Sequence, residues 1–180
     1  MEKTQLKNII NTIGKLKDLK RSGWIMNNVK LPESDADHSF GVALLAMILT
    51  PKTLNKQRCM ELALIHDLAE VYAGDITPHD SISKENKDKL EREGATRLSK
   101  ELNWPSLIDL VAEYNNGDTP ESRFVRCIDK LETLMTAEYY TTNKRSSVSF
   151  LDEFTEYAKK NISAYNDKEL SDIKDIINNF

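Results

Sequence analysis

The chain holds three histidines, and two of them stand beside an acid in apolar surroundings, as Asp37-His38 and His66-Asp67. A lone histidine on an apolar face is most often a core residue with a satisfied hydrogen bond. Two such residues, each next to a carboxylate, point instead toward a shared set of ligands. Consecutive helical side chains diverge by about 100°, so a His-Asp pair meets one ion only from neighbouring edges. Further ligands must then come from other helices. His38 supplies one, and Asp129 is the best acid for the last. It lies in Phe124-Val125-Arg126-Cys127-Ile128-Asp129-Lys130-Leu131-Glu132, where a charge on the apolar side is costly unless it is paired or metal-bound. Mixed nitrogen and oxygen ligands suit a first-row divalent ion such as Mn, Co, Fe, Ni or Zn, with Mg also admitted. Three or four protein ligands leave positions open for water and a phosphate oxygen.

The elements that must position these residues read as helices almost throughout. Leu6, Ile9, Ile10, Ile13, Leu16 and Leu19 recur on one face of a 3.6-residue period. Arg21-Ser22-Gly23 breaks that helix, and residues 24–32 read as an extended connector. A second helix, capped near Asp35 or Ala36, runs to Leu49; its second half is apolar nearly all round, which predicts a central, buried element. A third is expected over 56–71, carrying His66-Asp67, and Gly74 to Asp80 forms a loop. A charged helix follows over about 83–102. Pro105 is placed for the first turn of the next, which ends near Asn115-Asn116-Gly117. Thr119-Pro120 opens another, running to about Tyr140. A polar loop over 141–147 then leads to one or two C-terminal helices. No internal repeat or domain boundary interrupts residues 1–180, so the expectation is a single, compact, all-α, multi-helix domain.

Composition narrows the function classes. With 180 residues, 39% hydrophobic and 30% charged, the chain fits one soluble globular core of about 100–200 residues. A net charge of −4 disfavours a nucleic-acid polymer or an anionic membrane as partner. The longest apolar run, Gly41 to Leu49, is too short to span a bilayer, and the lysine-bearing N-terminus has no secretory pattern. Two cysteines, Cys59 and Cys127, make no disulfide framework and read as small buried hydrophobes. A cytoplasmic protein follows. No phosphate-binding glycine loop, Ser/His/Asp arrangement or Cys-x-x-Cys motif is present.

His38, His66-Asp67 and Asp129 in an all-α chain resemble the HD superfamily of metal-dependent phosphohydrolases. The 5′-deoxynucleotidase branch is the most similar. The likeness is carried by residues 23–29, by Pro32-Glu33-Ser34-Asp35-Ala36-Asp37-His38-Ser39, and by His66-Asp67-Leu68-Ala69-Glu70 followed by Gly74-Asp75-Ile76-Thr77-Pro78. With the segment around Asp129 it covers most of residues 20–140. The resemblance implies an HD-domain bundle and metal ligands His38, His66, Asp67 and Asp129. It also implies catalytic Glu70 and Asp75, and a homodimer. Glu70, four residues after His66, falls on the same helix face; its alternative is a solvated surface acid. The alternative for Asp75 is a turn-forming aspartate. Arg21 and Trp24 are expected to hold the phosphate and to pack on the sugar or base. The alternative there is a helix-terminal arginine with Trp24 in the core. The bacterial pattern has arginine and tryptophan adjacent, whereas Ser22-Gly23 intervene here.

The resemblance therefore implies hydrolysis of deoxyribonucleoside 5′-monophosphates to nucleosides and phosphate. Two alternatives are an HD phosphohydrolase acting on triphosphates or cyclic nucleotides, and a non-catalytic metal- and nucleotide-binding regulator. Outside the motif, His79 is expected to be exposed, Tyr139-Tyr140 and Met135 suit a core or a dimer surface, and the run from Lys84 to Lys100 is most simply a solvated helix face, with a second ion site at Glu91 and Glu93 as the alternative.

Overall fold

A computed structural model describes residues 3–146 and 150–180. Among these, ten α-helices and a short 3₁₀ turn make up the regular structure, and the only bridge joins Lys20 to Ser34. The helix α1 (Lys3–Asp18) is followed by a five-residue helix α2 (Ser22–Met26) where an extended connector was expected. Gly23 and Trp24 are pulled into that turn because Trp24 is buried while the Arg21 carbonyl accepts the Trp24 and Ile25 amides.

Helix α3 (Asp35–Leu49) starts and ends where the sequence places it, with Ser34 rather than an acid as its cap. Ser34 caps it, its hydroxyl accepting the Asp37 amide at 3.2 Å while the Asp37 carboxylate accepts the Ser34 amide at 2.9 Å. This reciprocal box fixes the helix start one turn ahead of His38. The rest of α3 departs from expectation. Val42 and Ala46 are fully buried, but Phe40, Leu44, Met47 and Ile48 are exposed, so one side packs and the other is an uncovered apolar stripe.

The central element is α8 (Pro120–Thr142), which packs against α3, α4 (Lys56–Ile65), α7 (Leu107–Asn116), α9 (Leu151–Ile162) and α10 (Ser171–Asn178). Thr119 caps it with Pro120 in the first turn, a position where the missing N–H costs nothing. Its inner face buries Phe124, Cys127, Ile128, Leu131 and Leu134 against Leu62 and Ala63 of α4 (Lys56–Ile65) and Leu107, Leu110 and Val111 of α7 (Leu107–Asn116). Helix α7 begins two residues beyond Pro105 and stops at Gly117, whose φ of +68° is the left-handed cap that glycine adopts without strain. The charged helix α6 (Lys84–Glu101) lies against α7 and the four-residue α5 (Glu70–Ala73). Helices α9 (Leu151–Ile162) and α10 (Ser171–Asn178), joined through the 3₁₀ turn Lys168–Leu170, close the other side of α8. Ser147 of the expected polar loop lies outside the described residues.

The expected helix over 56–71 divides at the histidine. Helix α4 ends at Ile65 and α5 covers only Glu70–Ala73. Between them the amides of Leu68, Glu70, Val71 and Tyr72 donate to the carbonyl three residues back. This is 3₁₀-like winding, with about three residues per turn. It brings Asp67 and Glu70 onto one side, where a continuous α-helix would have placed Glu70 under His66.

Candidate active site

Three elements bring the four expected ligands together. His38 comes from the first turn of α3, His66 and Asp67 from the tightened turn after α4, and Asp129 from the middle of α8. All four are buried. His38 Nε2 lies 3.3 Å from His66 Nε2, 3.3 Å from Asp129 Oδ1 and 3.8 Å from Asp67 Oδ2; His66 Nε2 lies 3.2 Å from that same Asp67 oxygen.

The outer nitrogens show what these atoms are for. His38 Nδ1 lies 2.6 Å from Glu132 Oε2, and His66 Nδ1 lies 2.8 Å from the Ala63 carbonyl. Both partners accept, so each Nδ1 carries a hydrogen and each ring turns its Nε2 inward, where it can offer a lone pair to a cation. The two Nε2 atoms and an Asp129 oxygen lie within 4.8 Å of one another, and Asp67 Oδ2 flanks the two histidines, a mixed nitrogen and oxygen donor set that fits a divalent cation. Without a cation, burial and Arg21 oppose a proton on His38. Glu132 and Asp129 outweigh them and raise its pKa to about 10. Burial alone would raise Asp67 and Asp129. Instead His66 and Arg21 hold Asp67, and Lys130 and His38 hold Asp129, well below the usual carboxylate range. The second oxygen of Asp129 accepts from Tyr114 Oη and Lys130 Nζ, each at 2.8 Å, which leaves Oδ1 aimed at the histidines.

A second group lies beside the first. Ligand atoms of Asp35, Glu70 and Asp75 fall within 4.8 Å of one another. Asp35 is fully buried, and neither of its oxygens, nor Glu70 Oε2, has a hydrogen-bond partner. Burial, Asp67 and Asp75 push the Asp35 carboxyl up to about 7 and Glu70 well above its ordinary value. These acids therefore hold protons or face a cation. Nothing in the motif reading pointed to Asp35, whose only sequence signal is an acid in the first turn of an otherwise apolar helix. Among the described residues no metal-ligand group includes Glu91 or Glu93, the alternative second ion site. Glu91 accepts from Asn115 Nδ2 at 2.7 Å and pairs with Lys87, while Glu93 pairs at the surface with Lys89.

Arg21 stands at the edge of both groups, 3.1 Å from Asp67 Oδ2 and 3.7 Å from Asp75 Oδ1. Asp75 is tied back by the Ser22 amide at 2.5 Å, so α2 and the loop after α5 are joined at the site. Trp24 does not take the place expected for it beside a sugar or base. It is 1% exposed, stacked on Phe154 at 4.8 Å and edge-on to Tyr140 and Phe150, and its Nε1–H donates to Glu33 at 2.8 Å. Ser22-Gly23 set the indole about one helical turn beyond Arg21, on the face of α2 that is turned into the core. His79 is exposed as expected and lies 2.6 Å from Glu153.

Comparison with known proteins agrees with this geometry. A family model described as "HD domain" matches residues 13–169. A human protein named 5′-deoxynucleotidase HDDC2 is 40% identical over 134 residues, 73% of this chain and 66% of its own length. A Schizosaccharomyces pombe protein named 5′-deoxynucleotidase hdd1 is 36% identical over 132 residues, 69% of this chain and 67% of its own. The matches thus span about two thirds of these relatives. The solved structure of the PH0347 protein from Pyrococcus horikoshii superposes with a TM-score of 0.77 at 31% identity, covering 97% of this chain and 96% of that one. With the histidines, the His-Asp pair and the distant aspartate meeting as they do, the chain belongs to the HD domain family.

Proposed function

We propose that the protein is a metal-dependent phosphomonoesterase that hydrolyses deoxyribonucleoside 5′-monophosphates to deoxyribonucleosides and phosphate. The observation that carries this reading is the convergence of the two inward Nε2 lone pairs with Asp67 and Asp129, beside an arginine and a buried, unpartnered glutamate. The choice of substrate rests on the relatives named 5′-deoxynucleotidase.

His38, His66, Asp67 and Asp129 would hold a divalent ion, which when bound polarises a phosphate oxygen and makes a water a better nucleophile. Two imidazole ligands favour Mn, Co, Fe, Ni or Zn over Mg. Arg21, with 16% of its side chain exposed, offers a planar donor pair to the phosphate and offsets its charge. Water adds to phosphorus as the bond to the 5′ oxygen breaks, so one proton leaves the water and one reaches the nucleoside. Glu70, buried yet free at Oε2, handles that transfer. Asp75, anchored by the Ser22 amide, keeps Arg21 and the loop at the site.

The same reading makes the chain one domain and a cytoplasmic homodimer. Buried free thiols at Cys59 and Cys127 suit a reducing compartment, and no described helix is long and apolar enough to cross a membrane. Phe40, Leu44, Met47 and Ile48 form an exposed stripe on α3, a surface suited to burial against its own copy around a two-fold axis. A phosphate-release screen over mono-, di-, tri- and cyclic nucleotides, run with several metals after chelation, tests the activity. Turnover is expected with deoxyribonucleoside 5′-monophosphates, and turnover confined to triphosphates would overturn the reading.

A further inference from the structure

The two histidines that face one another are held from behind by unlike groups. His66 leans on the Ala63 carbonyl, a neutral acceptor on its own helix. His38 leans on a carboxylate that reaches across from α8, with His38 side chain 0% and Glu132 side chain 10% exposed. Glu132 follows Asp129 by three residues, so both project from one side of α8; the first points Oδ1 at His38 Nε2 and the second takes His38 Nδ1. One helix thus brackets the imidazole at both nitrogens.

Two further features are shaped to this contact. Thr136, one turn beyond Glu132, donates its hydroxyl to Oε1 at 3.1 Å, which fixes the other end of the carboxylate. On α3, three residues after His38, stands Gly41. A Cβ there would lie 2.7 Å from Oε1 and 3.2 Å from the Glu132 Cγ. Any larger residue at 41 would push the carboxylate from the position in which it meets the imidazole.

We infer that Glu132 is a positioning residue for the metal centre, that it locks His38 in the tautomer and orientation that turn Nε2 inward, and that Gly41 exists to admit it. A carboxylate behind a ligating histidine strengthens the histidine as a donor, and losing such a partner typically weakens metal binding about 10–100-fold. Glu132 touches neither substrate nor the reacting atoms. The inference rests on His38 being a ligand of the proposed metal centre.

The test measures Mn²⁺ affinity by chelator competition and the visible spectrum of the Co²⁺-loaded protein, for the wild type and for Glu132→Gln, Gly41→Ala, Thr136→Val and His38→Ala. Glu132→Gln keeps the shape but removes the charge, and its Mn²⁺ affinity is expected to fall about tenfold or more with a shifted Co²⁺ spectrum. Gly41→Ala, which leaves every polar group in place, should move affinity and spectrum in the same direction. Thr136→Val should have a smaller effect of the same sign. A merely structural role would lower the melting temperature of the chelated protein and leave affinity and spectrum alone. Should Glu132→Gln fail to fold, Gly41→Ala carries the same reading. Unchanged affinity in Glu132→Gln or Gly41→Ala, with His38→Ala still losing the metal, overturns the role of Glu132. Full affinity in His38→Ala overturns the ligand assignment itself.

Discussion

The Nε2 atoms of His38 and His66 lie 3.3 Å apart, while each ring has its other nitrogen on an acceptor. Two inward lone pairs at that distance repel unless a positive charge lies between them. In water at neutral pH that charge is either a proton or a metal ion. Asp67 and Asp129 beside them, both held ionised by cationic neighbours, favour the doubly charged ion.

Replacing Asp129 should therefore cost metal and activity together. In Asp129→Ala the centre loses one oxygen ligand, and Tyr114 and Lys130 lose their shared acceptor. Removing only a supporting partner costs about 10–100-fold in affinity, so losing a ligand should exceed that. Metal content by elemental analysis after dialysis, read against phosphate release, checks the point. Retained metal with lost activity would remove Asp129 from the ligand set.

Glu70→Gln should separate the two quantities. Glu70 lies outside the histidine pair, and its Oε2 has no partner, so the amide fits without displacing a contact. Loss of a positioned proton-transfer group lowers turnover by about 10²–10⁴-fold. The expected result is normal metal content with kcat reduced by that order, and full turnover would end the catalytic assignment.

The residues that read clearly from the sequence are those whose cost of burial is high. His38, His66, Asp67 and Asp129 stand out because a charge or imidazole in an apolar helix needs a partner, and the structure gathers His38, His66 and Asp129 into one group with Asp67 at its edge. Helix starts at Thr119-Pro120 and Ser83, and the stop at Gly117, were legible because capping is local chemistry. What escaped depends on contacts distant in sequence. The helix break after Ile65 serves His66 and Asp67, and apolar periodicity runs through it undisturbed. The outward face of α3 is as apolar as the inward one, so composition could not tell which side is covered. Trp24 beside Arg21 read as a pair at the site, but Phe154 from α9 draws the indole away. Asp35 and Glu132 sit on helices at positions no spacing rule marks. Their significance appears only when α3, α8 and the turn after α4 meet.

The uncovered face of α3 predicts the assembly state. Phe40 and Ile48 are 67% and 64% exposed and lie two turns apart on one stripe. A charge placed on it would be left desolvated in a self-association. Sedimentation of the wild type should give a dimer mass, and Ile48→Lys should shift it to the monomer while leaving the helical circular-dichroism signal intact. A monomeric wild type would leave the stripe without this role.

The metal-stripped protein should lose stability as pH rises, the reverse of ordinary acid denaturation. Burial and Asp67 push Asp35 up to about 7, and burial and Glu132 push Glu33 up to about 7, from 3.8 and 4.5 in an unfolded chain. Between those limits the folded state holds more protons than the unfolded state. Stability is then complete below about pH 4 for these groups and declines as pH rises through 7, by up to about 1.4 kcal/mol per pH unit for each. Asp67 and Asp129 shift the opposite way, but their loss of stability lies below the ordinary carboxylate range and does not cancel the trend. His38, raised to about 10, extends the same decline above pH 6.5. Melting curves of chelated protein between pH 5 and 8 should therefore fall by several degrees, and Asp35→Asn should flatten the slope. Added Mn²⁺ should flatten it too, because a cation beside these carboxylates favours their charged forms. A melting temperature that climbs with pH in the chelated protein would show that the buried acids are ionised throughout and that some other charge already balances them.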